Sequence, residues 1–207
     1  MTNKTAAITA IVLCVLLLQG CATLGDIARA LTSLKNLQFR LDNISDFSLA
    51  GIGLGPKSQL RDFSVSDGIQ LLAAFRNRRL PARFLLNVEA RNPNDGTGGT
   101  TRTVSTLTRF DWRLLIDDQP TISGGIDRAL EIPGTGQTTV IPLRLELDLY
   151  EFFGERGYED LLNLALALGG RGNDISRVAL DALPSVSTPL GDITYPERIT
   201  IVSKEFR

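Results

Sequence analysis

The sequence predicts a mainly β protein, an antiparallel β-sandwich with one or two inserted helices. Three observations predict it. From Leu37 onward, short runs alternate apolar and polar residues, as half-buried strands do. About seven such runs are separated by Gly, Pro, Asn and Asp clusters, not by crossover helices. Two segments abandon the alternation for helical spacing.

The first run, "LQFRLDNISDFSLAGIGL", reads as a long or broken strand carrying Phe39, Leu41, Ile44, Phe47 and Leu49. Gly51, Gly53 and Gly55 then mark a bulge or turn ending at Pro56. They do not form G-x-G-x-x-G and no βαβ unit surrounds them, which excludes a dinucleotide site. "SVSDGIQLLAAFRNRRLP" predicts a helix capped by Ser66 or Asp67, with Ile69, Leu72 and Phe75 on one stripe, closed before Pro81. In "ARFLLNVEARNPND", Phe84, Leu86, Val88 and Ala90 form one strand face. Pro93 cannot donate a ladder hydrogen bond, and Asn94 and Asp95 suit a turn. A flexible loop, Gly96–Arg102, follows.

"STLTRFDWRLLIDDQPTISGGI" is a strand, a turn at Asp117–Pro120 and a second strand. Trp112 alternates with Phe110 and Leu114, so core packing is expected of it. "RALEIPGTGQTTVIPLRLELDLY" repeats that plan, with its turn at Pro133–Gly136 and a strand holding Val140, Leu143, Leu145, Leu147 and Leu149. In "YEDLLNLALALGG", Tyr158, Leu161, Leu162, Ala165 and Leu168 share a helix face, which Gly169 and Gly170 stop. A groove beneath that helix would admit a lipid or a peptide. The last segment returns to two strands around a Pro/Gly turn.

The 207 residues carry a formal charge of -1, which gives no electrostatic footprint for nucleic acid. A local cluster, Arg76, Arg78, Arg79 and Arg83, reads as a solvated helix end or as a contact for anionic lipid or a polyanion. The chain has no histidine, which removes His-dependent triads, His zinc sites and imidazole acid–base chemistry. Asn92, Asn94 and Asp95 lack the EF-hand spacing. Asp117 and Asp118 are expected to point apart and stay solvated. No catalytic residue, metal site or cofactor is predicted.

Residues 6–18, AAITAIVLCVLLL, are apolar and follow Lys4. The run is too short for a bilayer span of about 20 residues but suits a secretory signal. Leu18-Gln19-Gly20-Cys21 resembles the bacterial lipobox. That resemblance implies cleavage between Gly20 and Cys21 and acylation of Cys21, and two or more acyl chains anchor stably where one does not. The next residues, Ala22 and Thr23, offer no Asp as an inner-membrane retention signal, so the resemblance implies the outer membrane, on its periplasmic face. The expected organisation is signal peptide 1–20, tether or short helix 21–36, and one domain 37–207. Cys14 leaves with the signal, so the mature domain is held by its core alone.

Over roughly residues 35–203 the chain resembles the late embryogenesis abundant type 2 proteins and their water-stress and hypersensitive-response (WHy) module. The carrying residues are Asn92-Pro93-Asn94, then Asp111-Trp112, Ser123-Gly124, Ile132-Pro133 and Gly136. The resemblance implies an immunoglobulin- or fibronectin-III-like sandwich without an agreed enzymatic activity, associated with desiccation and other stress. Its expected partners are the membrane, through the lipid, and envelope proteins.

Overall fold

The computed structural model describes residues 37–97, 102–171, 174–188, 191–203 and 206. The predicted signal, Gly20, Cys21 and the tether lie outside them, as do residues 98–101 of the Gly96–Arg102 loop. The described residues form two antiparallel sheets with three helices at their ends.

One sheet contains β1 (Gln38–Leu49), β2 (Ile52–Gly53), β3 (Pro81–Arg91) and β7 (Thr138–Asp148), in the order β2-β1-β3-β7. β1 is the expected long strand, and register shifts after Leu41 and Ser45 keep Phe39, Leu41, Ile44, Phe47 and Leu49 all inward. Ala50 and Gly51, with φ of 47° and 82°, make the two-residue turn into β2. β3 pairs with β7 without a shift, from Pro81 opposite Asp148 to Arg91 opposite Thr138.

The other sheet contains β4 (Ser105–Ile116), β5 (Gln119–Gly124), β6 (Leu130–Ile132), β8 (Val178–Thr188), β9 (Gly191–Thr194) and β10 (Ile199–Ile201). β4 and β8 form its centre. β6 and β5 share the outer edge of β4, at Ser105–Leu107 and Trp112–Ile116. β10 and β9 share the outer edge of β8. Phe39 of the first sheet meets Phe110 of the second with ring centroids 5.4 Å apart, so the core lies between the two layers.

β6 and β7 do not form the expected hairpin. They belong to different sheets, and the Pro133–Gly136 turn carries the chain across the sandwich. Val140 is 48% exposed, because Ile141, not Val140, is in phase with Leu143, Leu145 and Leu147. The last segment holds three strands, not two.

Helix α1 (Val65–Arg76) is capped by Ser64, ahead of the expected Ser66 or Asp67. Asp67 instead closes the capping box by accepting from the Ser64 N–H at 3.1 Å. Its inward residues are Leu71, Ala74 and Phe75, whereas Ile69, expected in the core, is 66% exposed. A short helix, α2 (Leu149–Phe153), was not expected; Asp148 starts it by accepting from the Tyr150 N–H at 2.9 Å. Helix α3 (Tyr158–Gly169) buries the predicted Leu161, Leu162, Ala165 and Leu168 and also Leu164. At its C-terminal end it packs tightly on β1, where a Cβ at Gly169 would overlap the Phe47 ring, while a cleft of about 610 Å³ opens beside Asn163, Leu166 and Ala167. The three helices meet at Phe75, whose ring lies 5.4 Å from that of Tyr150 and 5.3 Å from that of Tyr158.

Candidate functional site

The residues singled out in the sequence fall into two groups. Asn92, Pro93, Asn94, Pro133 and Gly136 gather where β3 leaves one sheet and β4 and β6 meet in the other. Pro93 ends the ladder of β3 after Arg91, so the chain must satisfy its polar groups by side chains. Asn92 is fully buried and does this. Its Nδ2 donates to the Thr103 oxygen at 2.8 Å, the Ile132 oxygen at 3.1 Å and Ser105 Oγ at 3.2 Å. Its Oδ1 accepts from Asn94 N at 3.1 Å and Asn94 Nδ2 at 3.0 Å. Its backbone oxygen accepts from the Gly136 N–H at 3.3 Å, and that of Asn94 from the Thr103 N–H at 3.2 Å.

Gly134 completes this knot and was missed in the sequence. A Cβ there would lie 2.5 Å from the Thr103 oxygen and closer still to that of Asn94. The Pro-Gly dipeptide signalled the turn but not the close approach. Gly136, with φ of 70°, turns the chain onward to β7. Asp95 folds back on its own loop: Thr97 donates to it from N at 2.9 Å and Oγ1 at 2.6 Å, and these bonds hold its carboxyl below the ordinary value. The cluster holds three chain segments together. An amide carries no titrating proton, so it has no acid–base role at its centre.

Asp111, Trp112 and Gly124 form the second group, in mid-sheet. Trp112 faces Gly124 across the β4–β5 ladder, and a Cβ on Gly124 would lie 2.5 Å from Cζ2 of the indole. The glycine is the seat of the ring. Asp111 points to the opposite, exposed face. Trp112 is 6% exposed, as core packing predicted, but its Nε1 is buried without a hydrogen-bond partner among the described residues. Beside the indole lies a cleft of about 680 Å³ between β7 and the β5–β6 connection. Ile126, Leu130, Ile141 and Leu143 give it apolar walls, and Arg128 and Arg144 stand at its rim. No sequence signal brought Arg128 and Arg144 to Trp112.

Asp117 and Asp118 are not a carboxylate pair. With φ of 50° and 62° they are the two central residues of the β4–β5 hairpin. Asp117 is not left to solvent, as expected, but is clasped by two arginines. Arg177 donates from Nε at 2.7 Å and Nη2 at 2.6 Å, and Arg156 from Nη1 at 2.8 Å. The Arg177 hydrogen bonds, and then that of Arg156, hold the Asp117 carboxyl below its ordinary value. A carboxylate so engaged fastens the turn and is a poor base.

The fold and these groups define a β-sandwich domain whose buried polar residues close the fold, with a half-apolar cleft at one sheet edge. No family model matches the chain, and no curated protein matches it. Among solved structures it is similar to a candidate late embryogenesis abundant (LEA) protein determined in solution. That likeness has 17% identity and a TM-score of 0.37 over 97% of this chain and 90% of the other. A crystal structure of a protein from Archaeoglobus fulgidus shows 9% identity and a TM-score of 0.32 over 80% of this chain and 98% of the other. A candidate ApaA protein from Bordetella pertussis shows 8% and 0.30 over 80% and 97%.

Proposed function

We propose that this chain is a non-enzymatic, lipid-anchored protein of the bacterial envelope, held through Cys21 at the periplasmic face of the outer membrane. It acts by surface contact with envelope proteins or membranes and protects them under water stress. The observation that carries this reading is the use of the motif residues. The polar atoms of Asn92 bind other parts of the chain, so the domain meets its surroundings through its outer faces. The lipobox resemblance at Leu18–Cys21 and the type 2 resemblance at Asn92–Asn94 support the anchor and the stress role.

The test is protection of a labile enzyme through freeze–thaw cycles by the full chain, against an equal mass of an unrelated β-sandwich. Protection by this chain alone is expected; equal protection by both removes the protective role. Cys21→Ser tests the anchor separately: the precursor should remain uncleaved and carry no acyl mass. An acylated Cys21→Ser chain would contradict it.

A second reading has one specific observation in its favour. The Trp112 Nε1, without a partner among the described residues and beside the half-apolar cleft, suits a carrier of an amphiphile with an acceptor group. A stoichiometric lipid co-purifying with the chain, and lost in Leu143→Glu, would favour it over surface contact.

A further inference from the structure

Three of the five large apolar side chains exposed among the described residues lie within ten positions of one another. They are Leu60 at 39%, Val65 at 83% and Ile69 at 66%. Val65 and Ile69 are four apart on α1 and therefore share a face, which continues through the exposed Ala73 to Arg76. The opposite face, Leu71, Ala74 and Phe75, is the one packed on the domain. The helix is thus apolar on both sides, and only one side is covered.

Four arginines lie in and next to this helix: Arg76 on the same face in its last turn, Arg61 before it, and Arg78 and Arg79 just beyond it. None of the four guanidinium groups has an ion pair or hydrogen-bond partner among the described residues. Glu151 and Glu155 share a cleft with Arg78, and Glu146, within reach of the charge of Arg79, is bonded to Arg83 at 2.9 Å; the carboxylates at the start of the helix are engaged locally. Asp67 takes the Lys57 ammonium at 3.2 Å and the Ser64 N–H, and Asp62 accepts from the Ser58 and Gln59 N–H groups at 2.8 and 3.1 Å. In a chain of net charge -1, this is a local cationic rim around an apolar strip.

We propose that the outer face of α1 lies on an anionic lipid bilayer, with Val65 and Ile69 inserted among the acyl chains and the arginines against phosphate headgroups. Apolar anchors ringed by unpaired cations are what an interfacial helix presents. A protein partner fits less well. Three side chains offer little beside the roughly 800 Å² per partner of a stable interface, and four unpaired guanidinium groups would have to be matched. This deepens the surface-contact reading by naming one surface. It keeps its own readout, because it concerns the helix and not the lipid anchor.

The experiment uses the full chain with Ile69→Trp, reconstituted in vesicles of phosphatidylcholine alone or mixed equally with phosphatidylglycerol. Trp112 is buried and gives a constant background. The new indole should shift to the blue and be quenched by brominated acyl chains in the anionic vesicles only. Each arginine near an anionic surface contributes about fivefold to adsorption. Arg76→Gln with Arg79→Gln should therefore lower the adsorbed-to-free ratio about thirtyfold, and added salt should lower it further. An unchanged Trp112 emission confirms that the variants are folded. A shift that is absent from both vesicles, or equal in both, overturns the proposal. So does one that grows with protein concentration in neutral vesicles, which would assign the face to a second copy.

Discussion

Asn92 and Ile132 are joined across the sandwich: the buried amide at the end of β3 donates from Nδ2 to the carbonyl oxygen at the end of β6, 3.1 Å away. The two residues are 40 positions apart; Asn92 directly follows β3 and Ile132 ends β6, strands of different sheets. Removing the amide takes away, in a dry site, the hydrogen bonds it donates to the Thr103 and Ile132 oxygens and the one it accepts from Asn94 N. Asn92→Ala should cost about 2–4 kcal/mol, measured by denaturant unfolding. Asn92→Asp keeps the shape but aims a carboxylate at oxygens that need a donor. Its folded pKa would be raised, so its deficit should be full at neutral pH, shrink as pH falls through the raised folded value, and be gone below the ordinary carboxylate value. A pH-independent deficit would contradict this geometry.

Gly134 and Gly53 make a matched pair. A Cβ at Gly134 meets backbone oxygens that cannot swing away, whereas one at Gly53 meets nothing within 4 Å. Gly134→Ala should lower the unfolding free energy sharply, by about 3 kcal/mol or more, while Gly53→Ala stays within about 0.5 kcal/mol. Equal effects would show that the knot relaxes freely.

Trp112 and Gly124 should be coupled. Gly124→Ala in the native background pushes the indole and should cost about 1–3 kcal/mol. Trp112→Phe removes Cζ2 and the unpartnered N–H together, so its own cost should be small for a core aromatic, about 1 kcal/mol. In that background Gly124→Ala should become nearly silent. Additive costs would rule out the steric seat.

The Asp117 clasp sets a pH dependence. Its folded pKa is depressed, so its contribution is present above the ordinary aspartate value of 3.8 and is lost as pH falls through the folded value. The carboxylate is partly solvated, with 22% of the side chain exposed, so the contribution is modest. Asp117→Asn tolerates the same positive φ and should lose about 1 kcal/mol at pH 7. The gap to the native chain should close below pH 3.8. A gap that persists there would assign the loss to the turn and not to the charge.

Much of the sandwich was legible because strand faces repeat every two residues. Phe84, Leu86, Val88 and Ala90 could be read directly, and so could Phe110, Trp112 and Leu114. Two readings failed where one apolar residue competes with another. Ile69 and Leu71 both suit a helix stripe, and Val140 and Ile141 both suit a strand face. Only the neighbouring sheet decides which is buried. The separation of β6 from β7 was invisible, because a turn into a hairpin and a turn across the sandwich share the same Pro and Gly signals. Of the site, the motif named Asn92, Pro133 and Gly136, but not that they touch one knot through Thr103, Ser105 and Gly134. The Arg177–Asp117 clasp joins residues 60 positions apart and leaves no local trace.

We propose that this domain works by contact and not by turnover or by serving one fixed partner. In-cell crosslinking of the full chain, followed by mass spectrometry, tests it most directly. Substoichiometric crosslinks spread over several envelope proteins and lipids, increasing under water stress, are expected. A single partner captured at one-to-one stoichiometry, unchanged by stress, would contradict it.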